Sequence, residues 1–457
     1  MRQDTIAAIA TAMSNSGIGI IRISGEDSFE IIDHIYQGKK KKKLSDEKSH
    51  TIHYGYIVDE GSVVDEVLVL LMRGPNSFTG EDVVEIDCHG GVYVIKRILE
   101  TVIKYGARPA EPGEFTKRAF LNGKMDLSQA EAVMDLIESQ NEYALKSSVS
   151  QLKGKVHEKI QAVREAILYH TAFIETALDD PEHYDLDGYD ESLNSTVETL
   201  AKELKALILT ADNGRMIKEG IRTVIVGKPN AGKSSLLNLL VGEERAIVTD
   251  IEGTTRDILE EHIHLNGISL NIVDTAGIRE TEDLVEQIGV EKAKTHAEDA
   301  DLIIYVLDVS RSLDENDYEI MKLIRDKQSL VLLNKSDLES VITKEELKKF
   351  TDKPMIEVSM KSEQGMKELE DTLVHMFFEG KISMNEEVVI TNVRHKAALN
   401  DAYHSLQRVG ESIANQMPED FYSIDLMDAY EALGSITGDS IGEDLVNEIF
   451  SKFCMGK

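Results

Sequence analysis

Gly227-Lys228-Pro229-Asn230-Ala231-Gly232-Lys233-Ser234 decides how this chain is read. It fits the pattern G-x-x-x-x-G-K-[ST] and stands between the apolar strand Arg222 to Val226 and the helix-forming run Ser235 to Leu240. Glycines let a backbone wrap a polyphosphate so that successive N–H groups point at it. The following helix adds the positive end of its dipole, and Lys233 adds a full charge. Ser234 is expected to ligate Mg²⁺. A glycine turn with no ligand is the alternative, and the segments downstream remove it.

Those segments occur in the order a guanine-nucleotide switch needs: Gly253-Thr254-Thr255, then Asp274-Thr275-Ala276-Gly277 after the strand Leu270 to Val273, then Asn334-Lys335-Ser336-Asp337 after the strand Leu330 to Leu333. Asp274, at the carboxyl end of a strand, is placed to hold Mg²⁺ through water, and Thr255 to add a ligand when the γ-phosphate is present. Asp337 can accept from both N1–H and the 2-amino group of guanine. A base lacking those donors would leave a carboxylate unpaired, which predicts GTP over ATP. Ser359-Met360-Lys361 occupies the fifth position of the series, with Met360 where alanine is customary. The GTP contacts are therefore assigned to Asn230, Ala231, Gly232, Lys233, Ser234, Ser235, Thr249, Thr254, Thr255, Asp274, Thr275, Ala276, Gly277, Asn334, Lys335, Asp337, Ser359, Met360 and Lys361.

Ile278 follows Gly277 where Ras-like enzymes carry the glutamine that orients the attacking water. An isoleucine cannot do so. Glu286 is a candidate for that task, as by chemistry alone are Glu280, Glu282 and Asp283. Charge in the transition state has two candidate sources. One is a monovalent cation held by the Asn230 amide and the carbonyls and hydroxyls of Thr249 to Thr254; the other is an arginine finger from Arg256 or Arg279.

Outward from this segment, 457 residues are enough for two or three domains with separate cores. The balance of 83 Asp plus Glu against 50 Lys plus Arg argues against a sequence-independent nucleic-acid binder, so any RNA contact is expected to be local. Two cysteines, Cys88 and Cys454, are too few for a disulfide framework. No signal peptide and no apolar run long enough for a membrane span are evident, which predicts a cytoplasmic protein with free thiols and no membrane partner.

The first 122 residues read as a compact α/β domain, with short apolar runs at Gly19 to Ile23, Val67 to Leu71 and Val83 to Ile86. Residues 123–215 read as helical, with stretches such as Ala130 to Lys153 and Val156 to Ala177 and a stop at Asn213-Gly214. Residues 216–380 alternate strand and helix, and 381–457 return to helical periodicity. The expectation is a multidomain α/β plus all-α protein with a Ras-like G domain inserted in a helical domain. Lys39 to Lys43 and the acidic stretch Asp179 to Asp190 read as solvated loops, ahead of an RNA contact and a metal site respectively.

Three further segments resemble the MnmE (TrmE) family: Gly19 to Gly25, Asn76 to Glu85, and Pro112 to Phe115 continuing through Arg118 to Lys124. The ending Cys454-Met455-Gly456-Lys457 is similar to its Cys-x-Gly-Lys tail. The resemblance implies a K⁺-stimulated GTPase with Asn230, Thr249, Ile251 and Thr254 at the K⁺ positions, Ser234 and Thr255 on Mg²⁺, and Glu286 as the catalytic glutamate beside Lys233. It implies an N-terminal domain for dimerisation and for 5-formyl- or methylene-tetrahydrofolate, with Arg22, Glu85, Lys124 and Lys457 at matching positions. It implies a homodimer joined by an FAD-containing MnmG-type subunit in a heterotetramer or larger complex, modifying C5 of the wobble uridine of tRNA. Cys454 is a candidate nucleophile by its place in the tail. An Arg22–Glu85 salt bridge, a free tail and an unreactive thiol are the structural alternatives.

A ribosome-assembly GTPase is the rival from another class, and a slow regulatory switch awaiting an activator is a second. The first often adds an RNA-binding domain after the G domain, yet no G-x-x-G loop of the KH type follows Lys381. No G-x-G-x-x-G fingerprint follows a strand, so flavin chemistry is expected of the partner.

Overall fold

A computed structural model describes residues 4–39, 42–184, 188–241, 261–265, 268–273, 299–377 and 388–456. The chain divides into two compact units, residues 1–137, 151–193 and 408–457 in one and residues 138–150 and 194–407 in the other.

In the first unit, seven strands form one sheet: β1 (Ile6–Ile9), β2 (Ile18–Ser24), β3 (Tyr36–Gly38), β4 (Thr51–Asp59), β5 (Ser62–Met72), β6 (Val83–His89) and β7 (Arg108–Pro109), in the order β3-β4-β5-β6-β2-β1-β7. Alternation of side chains along each strand sorts residues to the two faces. Ala7, Ile21, Ile23, Val84 and Ile86 join a core with Ile31, Ile35, Ile95 and Ile98, from the helices Ser28–Ile35 and Val92–Lys104. Ile6 and Ala8 pack on the other face with Phe78 and Phe115. Arg22 and Glu85 fall on that second face, directly opposite each other in the antiparallel register of β2 and β6.

The helical expectation for 130–153 requires a correction. The helix Leu127–Glu138 ends before Asn141, and a second helix, Glu142–Leu152, begins after it. The Asn141 side chain accepts from the Ala144 N–H at 2.8 Å, giving the new helix its cap. The stop expected at Asn213-Gly214 is absent as well, since the helix Tyr189–Glu219 runs through it. A Cβ on Gly214 would lie 2.0 Å from the Ile390 carbonyl oxygen, so this glycine serves close packing. The remaining helices of this periodicity are Lys155–Asp179, Val393–Ala414, Asp420–Thr437 and Glu443–Ser451. Among the described residues no helix is long and apolar enough to cross a membrane, and no His, Cys, Asp and Glu cluster could hold a metal ion.

In the second unit, β8 (Ile221–Val226), β9 (Glu261–Leu265), β10 (Ile268–Ile272), β11 (Leu302–Asp308), β12 (Ser329–Asn334) and β13 (Met355–Glu357) form a sheet in the order β13-β12-β11-β8-β10-β9. All neighbours are parallel except β9, which pairs antiparallel with β10 at the edge. Along β11, Leu302, Ile304 and Val306 enter one core while Ile303, Tyr305 and Leu307 enter the other, as expected of a strand covered on both faces. The order reverses at β8, whose neighbours are β10 and β11. The loops at its carboxyl end therefore stand at the switch point where doubly wound sheets bind ligands.

Candidate functional site

The loop after β8 turns through backbone that favours glycine: φ is +152° at Gly227, +60° at Asn230 and +108° at Gly232. Space requires glycine as well. A Cβ on Gly227 would lie 2.4 Å from the Val306 carbonyl oxygen, and one on Gly232 would lie 2.1 Å from Asn334 Nδ2. The helix Lys233–Val241 starts at the end of the loop, anchored by buried Leu236, Leu237 and Leu240. Lys233 Nζ folds back over the loop and donates to the carbonyls of Gly227 at 2.7 Å and Lys228 at 2.8 Å. Burial of this ammonium lowers its pKa, which favours a bound anion that restores the lost solvation. Asn230, Ser234 and Ser235 are exposed at the mouth.

Asn334, 3% exposed at the end of β12, joins the separate motifs. Its amide donates to the Ala231 carbonyl at 2.7 Å and its oxygen accepts from the Met360 N–H at 3.3 Å. Ser359 Oγ donates to Asp337 Oδ1 at 2.8 Å, aligning the carboxylate expected to read guanine. Met360, where alanine is customary, makes this contact to Asn334 through its N–H alone, so the side-chain change does not affect it. Lys335, at φ +64°, donates to Asp308 Oδ2 at 2.6 Å. The Asp308 carboxyl is pushed up by burial, but hydrogen bonds from Lys335 and Ser310 outweigh this and hold it below its ordinary range. Lys361 lies in the turn after Met360.

In the other unit, Arg22 Nε donates to Glu85 Oε1 at 2.7 Å, and Arg22 Nη1 donates to the Gly456 carbonyl at 3.3 Å. The guanidinium lies 5.7 Å from the Phe78 ring centre and 5.6 Å from that of Phe115. Lys124 Nζ donates to the Pro75 carbonyl at 2.9 Å, so Arg22 and Lys124 touch the same loop at Phe78 and Pro75. The tail is docked through Gly456. Gly113 N–H donates to the Cys454 carbonyl at 3.3 Å, and the Phe450 and Phe453 rings pack at a tilt with centres 4.9 Å apart. Gly456 has φ +85°, and a Cβ there would meet the Ile9 carbonyl oxygen at 2.3 Å. The free-tail alternative is thus set aside as far as Gly456, whereas the Arg22–Glu85 pair is present. Cys454 is exposed. Cys88 is the buried thiol, donating to the Gly19 carbonyl at 3.3 Å and pushed up to about 12 by burial.

Residues 127–454 match the family described as the MnmE helical domain, and residues 5–124 match the GTP-binding protein TrmE N-terminus. The tRNA modification GTPase MnmE of Lachnoclostridium phytofermentans is 61% identical over 458 residues, covering 100% of both chains. That of Alkaliphilus oremlandii is 50% identical and that of Clostridioides difficile 48%, each alignment covering 99% of both chains. The chain belongs to the MnmE family of tRNA modification GTPases.

It is accordingly a GTPase. Thr249, Ile251, Thr254, Thr255, Asp274, Thr275, Ala276, Gly277, Ile278, Glu286 and Lys457 lie outside the described residues, as do Glu280, Glu282, Asp283 and the candidate fingers Arg256 and Arg279. Two carboxylates, Asp308 and Glu81, were given no role by the sequence reading. Asp308 takes Lys335, and Glu81 takes Arg118 Nη1 at 3.2 Å together with Ser24 Oγ at 2.6 Å. Asp308 is marked by its place at the carboxyl end of a strand. Glu81 and Arg118 stand in the MnmE-like segments, with the buried pair tying those segments together.

Proposed function

We propose that GTP hydrolysis by this chain drives addition of an aminomethyl or carboxymethylaminomethyl group to C5 of the wobble uridine of certain tRNAs, together with an FAD-containing MnmG-type subunit in a heterotetramer or larger complex, in the cytoplasm. The observation that carries this reading is the full-length likeness to the MnmE GTPases, running through the α/β, helical and nucleotide-binding segments together. Within the G domain the loop carbonyls hold Lys233 where a triphosphate would be cradled, and Asp337 is held by Ser359 to accept from guanine. Ser234 and Thr255 would hold Mg²⁺.

Ile278 leaves water without the usual glutamine, so Glu286 is assigned to orient it. A K⁺ ion at Asn230, Thr249, Ile251 and Thr254 would replace an arginine finger, in G domains of a homodimer that close face to face. The exposed Asn230 side chain, on a left-handed residue of the loop, suits such a ligand.

Arg22, Glu85, Lys124 and Lys457 are assigned to 5-formyl- or methylene-tetrahydrofolate, which supplies the one-carbon unit when bound. Arg22 keeps guanidinium donors beyond those given to Glu85 and Gly456, as an anionic group requires. Glu85 would accept from pterin N–H groups. Cys454 is kept as a candidate nucleophile, exposed at the same tail.

The test combines the purified chain with the flavin subunit, tRNA, methylene-tetrahydrofolate, GTP and a glycine or ammonium donor, with mass spectrometry of the wobble nucleoside. KCl is compared with NaCl, and wild type with Asn230→Gly, a substitution tolerated at positive φ. Modified uridine that requires both GTP and K⁺, with K⁺ stimulation lost in Asn230→Gly, is the expected result. Unmodified tRNA with every component present would refute the tRNA reading, and equal rates in the two salts would refute the K⁺ reading.

A further inference from the structure

The second residue of the phosphate loop, Lys228, points away from the phosphate cradle. Its ammonium sits between two carboxylates, 2.7 Å from Asp314 Oδ2 and in contact with Asp317 Oδ2. Asp314 and Asp317 belong to the start of the helix Glu315–Leu323, where they form a reciprocal cap: Asp314 accepts from the N–H groups of Asn316 and Asp317, and Asp317 Oδ2 accepts from the Asp314 N–H at 3.0 Å. Asp317 Oδ1 takes the hydroxyl of Tyr305, at 2.7 Å, from the middle of β11.

Capping alone explains neither the burial nor the company of Asp317. A cap at a solvent-facing helix end needs no buried tyrosine and no lysine from another loop. Here Asp317 is 1% exposed and Tyr305 0%, and a carboxylate buried this far would be costly without charge compensation. Lys228 supplies that compensation. Burial pulls the Lys228 ammonium down, but its two carboxylate partners raise it further, and Lys228 in turn lowers the Asp314 carboxyl. Burial pushes the Tyr305 phenol up, so it remains a hydrogen-bond donor. Every polar atom of the Asp317 carboxylate is occupied, and its position is fixed from β11, from the helix and from the loop.

We propose that Asp317 and Lys228 are positioning residues for nucleotide binding, a buried brace that pins the first bend of the phosphate loop to the helix Glu315–Leu323 and to Tyr305 of β11. The carbonyls that hold Lys233 belong to Gly227 and Lys228 themselves, so the brace fixes the residue that orients the phosphate-binding ammonium. The same β11-to-helix segment holds Lys335 of the guanine loop through Asp308. The phosphate loop and the guanine loop are thereby both held by β11 and the helix that follows it. The inference rests on the GTP-binding reading of the loop. Because the brace touches no reacting atom, it supports ground state and transition state alike and acts on KM more than on kcat.

The experiment measures release of a fluorescent GDP analogue and steady-state GTP turnover for the full chain. Wild type is compared with Lys228→Met, Lys228→Arg, Asp317→Asn and the double variant Lys228→Met with Asp317→Asn. Lys228→Met keeps the aliphatic stem but leaves the buried Asp317 carboxylate without its cation, so the double variant, which removes both charges, separates loss of the brace from a folding defect. The expected result is analogue release about tenfold faster and a comparable rise in KM for Lys228→Met and Asp317→Asn, a kcat within about twofold of wild type, and recovery in Lys228→Arg. The double variant should lose no more than the worse single variant, because both remove one interaction. Wild-type release and KM in Lys228→Met, or additive losses in the double variant, would overturn the brace. Failure of wild type to bind the analogue would instead overturn the nucleotide site itself.

Discussion

Asn334 and Ala231 are joined across the sheet by one hydrogen bond, the Asn334 amide donating to the Ala231 carbonyl at 2.7 Å. The phosphate loop is thereby bonded to the residue that opens the guanine loop, while the same side chain accepts from Met360. Asn334→Ala leaves the buried Ala231 carbonyl and Met360 N–H without their partner. The expected cost is about 1–3 kcal/mol, seen as a higher KM for GTP and faster nucleotide release, measured by turnover kinetics and fluorescent-analogue dissociation. Unchanged nucleotide affinity would show that the loops hold their shape without this bond.

The tail contact is testable at Gly456. Its φ of +85° and the 2.3 Å approach of an added Cβ to the Ile9 carbonyl oxygen make alanine incompatible with the docked conformation. Gly456→Ala should detach the tail from Arg22 and weaken binding of 5-formyltetrahydrofolate about tenfold, near 1.4 kcal/mol. Isothermal titration gives the affinity directly, and an affinity equal to wild type would remove the tail from the proposed folate site.

Glu114 sets an acid limit on the N-terminal sheet. Burial pushes its carboxyl up, but Arg108, the Glu111 N–H and Arg118 outweigh burial and leave it below its ordinary value. A carboxyl depressed on folding contributes stability that is present above its unfolded pKa and lost as pH falls through the folded one. Glu114→Gln should therefore destabilise residues 4–124 by about 3 kcal/mol near neutral pH, and the gap from wild type should close in acid below the ordinary carboxylate range. Urea titration read by hydrogen exchange of peptides from this segment measures both. A gap independent of pH would show that the side chain acts by packing.

Much of the fold is legible in the sequence. The loop Gly227 to Ser234 lies where its flanking strand and helix placed it, because glycines at positive φ and an apolar strand are local requirements. The runs Gly19 to Ile23, Val67 to Leu71 and Val83 to Ile86 lie within β2, β5 and β6 for the same reason. Asn141 and Gly214 depart from the sequence reading for different reasons, the first local and the second tertiary. Asn141 caps a helix that periodicity alone continues, and Gly214 admits the Ile390 backbone to a helix that composition alone would end. Asp317 was invisible for a related reason: its partners Tyr305 and Lys228 are brought to it only by the sheet and the loop.

The most direct measurement of the central claim exchanges the nucleotide this chain reads. Asp337→Asn replaces one carboxylate oxygen with an amide N–H₂ donor, which suits the 2-oxo group of xanthine and leaves guanine's 2-amino donor without an acceptor. In the complete reaction with the flavin subunit, tRNA and methylene-tetrahydrofolate, wild type should yield the modified wobble uridine with GTP and little with XTP. Asp337→Asn should yield it with XTP and little with GTP. Modification by Asp337→Asn that proceeds equally with either nucleotide or with none would contradict the claim that hydrolysis on this chain drives the tRNA chemistry.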